Sequence, residues 1–89
     1  MLRDMVVKVL GPAGVKRDKL VQEVRRALRY VGLDATLSTT DSAEEASTYG
    51  QPETPALVIN AELKVAGRIP DQAELTTWLT TAALKEEGS

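Results

Sequence analysis

Cysteine and histidine are the side chains that most often carry chemistry in small proteins, and this chain has neither. Their absence excludes disulfides, thiolate chemistry and the usual ligands of zinc, copper and iron–sulfur clusters. It also excludes nucleophiles that a histidine activates. The adjacent acid pairs at 44–45 and 86–87 are poor acid–base partners, since neighbouring residues of a helix do not share a face. We therefore expect no catalytic residue, no metal and no cofactor, and we predict that the chain is not an enzyme.

Two loop segments are candidates for ligand binding, and the first is the glycine-containing loop at residues 11–16. It leads into a predicted helix, and backbone N–H groups at a helix N-terminus can bind an anion. Lys16 and Arg17 would add positive charge there. The spacing of Gly11, Gly14 and Lys16 does not match a Walker A loop. The alternative is a plain connection whose glycines serve its backbone geometry.

The second candidate segment is Thr54-Pro55, which opens the apolar run Ala56–Ile59. Proline fixes φ and has no N–H to donate, so it belongs at the start or the edge of a strand. The run that follows is continuously apolar, which is typical of a strand covered on both faces. Local reasoning favours a trans bond at Pro55, because only about 5–6% of X–Pro bonds in folded proteins are cis.

Hydrophobic patterning predicts the elements that position these two loops. The β-branched segment Met5–Leu10 is predicted to be the first strand. A helix follows, because apolar residues recur at helical spacing, and these residues are Leu20, Val24, Ala27, Leu28 and Val31. Gly32 is expected to end this helix in a left-handed conformation. A second strand is predicted over residues 34–39.

The second half of the chain is predicted to contain two helices and a hairpin. A short helix is expected over residues 42–49, because Ser42 and Glu45 have the spacing of a capping box. The third strand is Ala56–Ile59, and a turn at residues 61–62 leads to a fourth strand at 63–66. Asp71 and Glu74 have capping-box spacing at the start of a last helix, which is predicted to end at residue 83.

The resulting order is βαβαββα in a chain of 89 residues, which predicts a single α/β domain. We expect its core over about residues 5–83 and a flexible tail over residues 84–89. The first two strands are joined by a helix, so they should be parallel with a right-handed crossover. The third and fourth strands should form a hairpin.

The charges are unevenly distributed, although the net charge is only −2. Residues 15–32 contain six basic and two acidic residues, a net charge of +4, whereas residues 33–89 have a net charge of −7. Such a field can orient a charged partner, and the alternative is a helix whose basic face is merely solvated. Tyr30 lies near Arg26 and Arg29 on this helix and is a candidate for exposure.

The composition also bears on partners and location. Aromatic residues make up 3% of the chain, which gives little support to nucleic-acid binding by base stacking. No apolar run approaches the ~20 residues of a membrane span, and the first residues lead directly into a strand pattern without a signal peptide. We therefore expect a cytoplasmic protein that binds neither nucleic acid nor membrane.

Several segments occur in an order that resembles a small thioredoxin-like family, the redox-active disulfide proteins. They are Val9-Leu10-Gly11, Lys19-Leu20, Val24-Arg25-Arg26-Ala27-Leu28, Gly32-Leu33-Asp34-Ala35, Tyr49-Gly50, Thr54-Pro55-Ala56-Leu57-Val58-Ile59-Asn60, Ala66-Gly67-Arg68-Ile69-Pro70 and Trp78-Leu79. The similarity covers about residues 5–79. It implies a thioredoxin-like fold whose four-stranded mixed sheet has the order 2-1-3-4 and is flanked by helices. It also implies that the Thr54–Pro55 bond is cis.

The resemblance also implies where the redox centre of such a protein would be. In that family a Cys-x-x-Cys motif opens the first helix, and the aligned positions here are Gly14 and Arg17. Disulfide exchange needs a thiolate at the helix N-terminus and a second thiol to resolve the mixed disulfide. Glycine and arginine provide neither, so the resemblance supports the fold and removes the activity.

The main hypothesis is a redox-inactive module that binds a protein, a peptide or a small ligand. Its surface would comprise Gly14, Lys16, Arg17, Thr54 and Pro55, because the residue before a cis-proline offers backbone groups to an extended peptide. The competing hypothesis for this surface is an inherited scaffold with no remaining role.

Two other hypotheses remain open. One is a protein of thiol–disulfide exchange or electron transfer that works through a partner's thiols or through a bound cofactor. The other is an assembly subunit that forms a homodimer through an exposed edge of the sheet.

Overall fold

The computed structural model describes residues 5–88, with side chains for residues 5–85. The segment examined for a signal peptide, residues 1–4, and the last residue of the predicted tail, Ser89, lie outside the described residues. The elements follow the predicted order βαβαββα. They are β1 (Met5–Leu10), α1 (Val15–Val31), β2 (Ala35–Thr40), α2 (Ala43–Thr48), β3 (Ala56–Ile59), β4 (Glu62–Ala66) and α3 (Gln72–Gly88).

The four strands form one mixed sheet with the order β2-β1-β3-β4, which confirms the order implied by the resemblance. β1 and β2 are parallel, whereas β1–β3 and β3–β4 are antiparallel. All four residues of β3 are buried, as its continuous apolar run predicts. None of the helices within residues 5–88 is both long and apolar enough to cross a membrane.

The main core lies between one face of the sheet and the helices α1 and α3. It is formed by buried side chains of all three, among them Val7, Val9, Leu20, Val24, Leu57, Ile59, Leu75 and Leu79. Because side chains alternate along a strand, Leu10 and Val58 point to the opposite face. There they form a smaller cluster with Ala56, against which Tyr49 packs. The predicted packing of Trp78 against the core is also present.

Helix α1 ends at the glycine that its sequence indicates. Gly32 has φ 71° and ψ 33°, which is the left-handed conformation, and its N–H group donates to the carbonyl of Arg29 at 3.3 Å. The N–H group of Leu33 donates to the carbonyl of Leu28 at 3.0 Å, which completes a Schellman-type end.

The hairpin turn between β3 and β4 lies one residue earlier than predicted. Its central residues are Asn60 and Ala61, with φ angles of 48° and 69°, and Glu62 already pairs with Ile59. The reason is a contact with β1: the Asn60 N–H group donates to the carbonyl of Val6 at 2.8 Å, and Asn60 Oδ1 accepts from the N–H group of Val6 at 2.9 Å. These bonds hold Asn60 at the turn, and the local sequence does not reveal them.

Two other boundaries differ from the prediction. β2 spans Ala35–Thr40 and is therefore shifted by one residue, because all six of its residues pair in register with β1. Helix α3 continues to Gly88, beyond the predicted end at residue 83. The mobility of residues 84–89 stays a prediction.

The start of α3 is held by a capping box and an ion pair. The Glu74 N–H group donates to Asp71 Oδ1 at 2.8 Å, and the Asp71 N–H group donates to Glu74 Oε1 at 3.1 Å, as the spacing predicts. Arg68 donates to the same carboxylate from both terminal nitrogens: Nη1 to Oε1 of Glu74 at 3.0 Å, and Nη2 to Oε2 at 2.7 Å. These hydrogen bonds lower the pKa of Glu74 from 4.5 to about 2, and the bond from Arg68 has the largest effect.

This lowered pKa predicts an acid-dependent loss of stability that the substitution Glu74→Gln removes. A carboxyl whose pKa falls on folding stabilises the fold fully above its unfolded value, and loses that contribution as the pH drops through its folded value. The difference in unfolding free energy between the wild type and Glu74→Gln should therefore be largest above about pH 4.5 and shrink toward pH 2. Urea titrations over this range measure it. A difference that stays constant with pH would contradict the prediction.

Candidate functional site

The five residues predicted for the binding surface lie around one groove. Gly14, Lys16, Arg17, Thr54 and Pro55 line it, and the remaining lining residues also come from the loop between β1 and α1 or from the start of that helix. Its volume is about 280 Å³. We call it the loop groove. The structure thus brings together two loops that are about forty residues apart in the chain.

A close contact between the two loops forms the floor of the loop groove. A Cβ atom added to Gly11 would lie 3.0 Å from Cβ of Thr54 and 3.5 Å from Cα of Pro55. Gly11 also has φ 140°, a conformation that side chains other than glycine rarely adopt. The Thr54–Pro55 bond is cis. Gly11 is therefore needed for two reasons, its backbone conformation and the absence of a side chain.

Neighbouring strands hold both loops where they leave the sheet. The N–H group of Gly11 donates to the carbonyl of Thr40 at 2.8 Å, which extends the pairing of β1 with β2. The carbonyl of Pro55 accepts from the N–H group of Gly67 at 2.9 Å. Among the described residues, no backbone hydrogen bond involves Thr54. Its N–H and C=O groups therefore have no backbone partner among these residues.

Arg17 is the charged side chain of this groove with the most distinctive environment. It is half-buried, and its Nη1 atom donates a long hydrogen bond of 3.4 Å to the carbonyl of Gly11. Its Nε atom is buried and finds no acceptor among the described residues. A buried donor without a partner costs about 1–3 kcal/mol, so the Arg17 side chain carries an unsatisfied hydrogen-bonding group beside the groove.

The N-terminus of α1 adds further donors to the loop groove. Gly14 caps the helix with φ 164°, an extended conformation open to any residue, and no side chain accepts a hydrogen bond from this helix end. The first turn therefore has backbone N–H groups that a ligand could use. Val15 lies beside them with 85% of its surface exposed. The groove offers backbone donors, a guanidinium and apolar surface, but no thiol.

Sequence reasoning identified the members of this groove but not how they fit together. The role of Gly11 as the contact point for Thr54 was missed, and its position directly after β1 was the available signal. A second groove, between α1 and α3, was also missed. Arg26, Arg29 and Tyr30 line it, and their spacing along α1 already placed them close together.

The sheet order, the helices on its face and the cis-proline beside the start of α1 define a protein of the thioredoxin class. The sequence matches the family described as "Thioredoxin domain" over residues 5–80. This chain belongs to that family, and it is a member without cysteine.

The comparisons with individual proteins bear on the fold alone. None of the curated proteins compared with this sequence is similar enough to count as a relative. A solved structure of a mutant thioredoxin from Halobacterium salinarum NRC-1 superposes with a TM-score of 0.67 and 22% identity. The match covers 90% of this chain and 75% of that one.

The geometry of Gly11 predicts that a single methyl group disturbs the loop groove. Gly11→Ala should lower the free energy of unfolding by about 1–3 kcal/mol, because the alanine must adopt a rare φ and press on Thr54. Gly14→Ala is the matched control, since no atom lies within 4 Å of the added Cβ. It should change stability by less than about 1 kcal/mol, because the poorer capping by alanine is partly offset by the lower flexibility of its unfolded chain. Urea denaturation measures both, and equal losses would show that the loop contact is not the cause.

Proposed function

We propose that this chain is a redox-inactive binding module that holds an extended peptide segment of a partner protein in the loop groove. The observation that carries the proposal is the geometry around Pro55. The contact of Gly11 with Thr54 and the cis bond are in place, and the resemblance implies that Gly14 and Arg17 occupy the positions of the family's two cysteines. These features support a surface for an extended peptide without the chemistry of exchange.

The peptide would bind by a combination of backbone and side-chain contacts. Its backbone would pair with the N–H and C=O groups of Thr54, which is a short form of strand addition. A carboxylate or carbonyl oxygen of the peptide would accept hydrogen bonds from the terminal nitrogens of Arg17, which lines the groove. An apolar peptide side chain would cover the exposed surface of Val15. Lys16, exposed at the rim, would favour an acidic peptide.

The absence of thiols supports both the redox inactivity and the proposed location. Exchange requires one thiol to attack and a second to resolve the mixed disulfide, and this chain has no cysteine. A chain without disulfides needs no oxidising compartment. We keep the cytoplasm as the proposed location, and cell fractionation tests it.

Peptide binding should depend on Arg17 and not on the overall charge of α1. Peptides are selected against the wild type from a random displayed library, and their affinities are compared between Arg17→Glu and Lys19→Glu. Lys19 is exposed on the same helix outside the groove, so the two variants change the charge equally. For peptides that occupy the loop groove, Arg17→Glu should weaken binding by about tenfold or more, since a hydrogen bond to a charged group contributes about 1.5–3 kcal/mol.

The control variant Lys19→Glu should change these affinities by less than about twofold, because exposed charges outside a contact are screened by salt. Both variants should remain folded, since a glutamate near a helix N-terminus is favourable. If every selected peptide binds the wild type and Arg17→Glu equally well, the loop groove is not a binding site and the proposal fails.

Redox activity separates this proposal from the electron-transfer hypothesis. In an insulin-reduction assay with dithiothreitol, the wild type should show no turnover above background. The double substitution Gly14→Cys and Arg17→Cys should gain activity, because it places two thiols at the start of α1 beside Pro55. Turnover by the wild type would support a role in thiol exchange. An inactive double variant that folds would show that the groove has lost the geometry of exchange.

A further inference from the structure

A second groove lies between α1 and α3, and we call it the helix groove. Its volume is about 520 Å³, and it is lined by Arg26, Arg29, Tyr30, Gln72, Ala73 and Thr76. Arg29 follows Arg17 by twelve residues of α1, which corresponds to roughly 18 Å along the helix axis. No residue lines both grooves. The helix groove is therefore a separate surface, on the part of α1 away from the loop groove.

The two arginines of the helix groove are exposed and are not neutralised within the described residues. All ion pairs among residues 5–85 lie elsewhere, at Lys8–Glu45, Lys64–Glu62, Lys85–Glu62 and Arg68–Glu74. Glu23 and Asp71 form no ion pair with these arginines among the described residues: Glu23 accepts from Gln72 Nε2 at 2.9 Å, and Asp71 accepts from the Glu74 N–H group at 2.8 Å. These bonds leave the charge of both carboxylates in place. Arg26 and Arg29 present their charge to the outside.

Tyr30 gives the helix groove an aromatic surface. It is 83% exposed, whereas the other aromatic residues, Tyr49 and Trp78, pack against the two core clusters. Tyrosine and arginine are the residue types enriched at protein interfaces, whereas lysine is depleted there, and no lysine lines this groove.

The hydrogen bonds of Gln72 indicate which class of acidic ligand would fit the helix groove. Its Nε2 atom donates to the carbonyl and to Oε1 of Glu23, both at 2.9 Å, so its own carbonyl oxygen is left to accept a hydrogen bond. A peptide N–H group is a suitable donor for that oxygen, whereas a phosphate oxygen is not. A single-stranded nucleic acid also needs a longer basic track and several stacking rings.

We propose that the helix groove binds an acidic segment of a partner protein. Arg26 and Arg29 hold its carboxylates, Gln72 accepts from its backbone, and one of its side chains lies against the ring of Tyr30. Each arginine can bind a carboxylate through two parallel hydrogen bonds, whereas a lysine offers only a single charged amine. This site is additional to the loop groove, and its occupation does not require that the loop groove be filled.

The test compares two double variants of equal charge. Peptides are selected from a random displayed library against the wild type alone, and their affinities are then measured for the groove variant, Arg26→Glu plus Arg29→Glu. The control is Lys19→Glu plus Arg25→Glu, because both residues are exposed on α1 and neither lines the helix groove. Circular dichroism first establishes that each variant unfolds at a temperature close to that of the wild type.

The proposal expects selected peptides rich in Asp and Glu whose affinity falls by about tenfold or more in the groove variant and by less than about threefold in the control. Tyr30→Ala should also weaken binding, whereas Tyr30→Phe should retain it. Replacing the acids of the peptide with Asn and Gln should abolish binding. Chemical shifts should move at Tyr30, Ala73 and Thr76.

Other outcomes would overturn the proposal. They are the recovery of no peptide, equal losses in the two double variants, peptides without acidic residues, or tighter binding of a single-stranded oligonucleotide. Arg17→Glu separates the two grooves. Peptides that depend on Arg17 alone would leave the proposed function standing and remove this inference, whereas peptides that depend on Arg26 and Arg29 alone would do the reverse.

Discussion

The contact of Gly11 with Thr54 and Pro55 is the constraint on which the rest of the candidate site depends. It arises from the antiparallel register of β1 and β3, in which Leu10 lies opposite Ala56. The residues that follow β1 and those that precede β3 must then meet at the same end of the sheet. They can approach so closely because Gly11 has no side chain to separate them. The start of α1, with Gly14 and Arg17, is consequently placed beside the cis-proline.

The core explains how a thioredoxin-like chain can do without its cysteines. The folding free energy comes from apolar side chains that the sheet shares with α1 and α3, and none of them belongs to the loop groove. Gly14 is exposed and has no atom within 4 Å of an added Cβ, so its identity has little influence on packing.

Helix α1 connects the two grooves and has a different role in each. Its N-terminal turn presents backbone donors and Arg17 beside Pro55, whereas its C-terminal half presents Arg26, Arg29 and Tyr30 along α3. The same helix contributes Leu20 and Val24 to the core, so both surfaces are held on a rigid element. A single packed helix thereby carries six of the eleven basic residues of the chain and sets a fixed spacing between the two grooves.

Local patterns in the amino-acid sequence were enough for most of the fold. The apolar runs set the bounds of β1 and β3, Gly32 ended α1, and the spacing of Asp71 and Glu74 indicated the start of α3. These features depend on neighbours within a few residues, so the printed sequence contains their cause. The resemblance to a known family then supplied the sheet order and the positions corresponding to the cysteines.

Features that depend on distant residues emerged only when the chain was folded. The turn at Asn60 is held by hydrogen bonds to Val6, and the contact between Gly11 and Thr54 follows from strand register. The unpartnered Nε atom of Arg17 and the groove between α1 and α3 likewise need two packed segments to exist. Tertiary packing brings into contact residues that are far apart in the chain, and local sequence patterns do not predict which of them will be in contact.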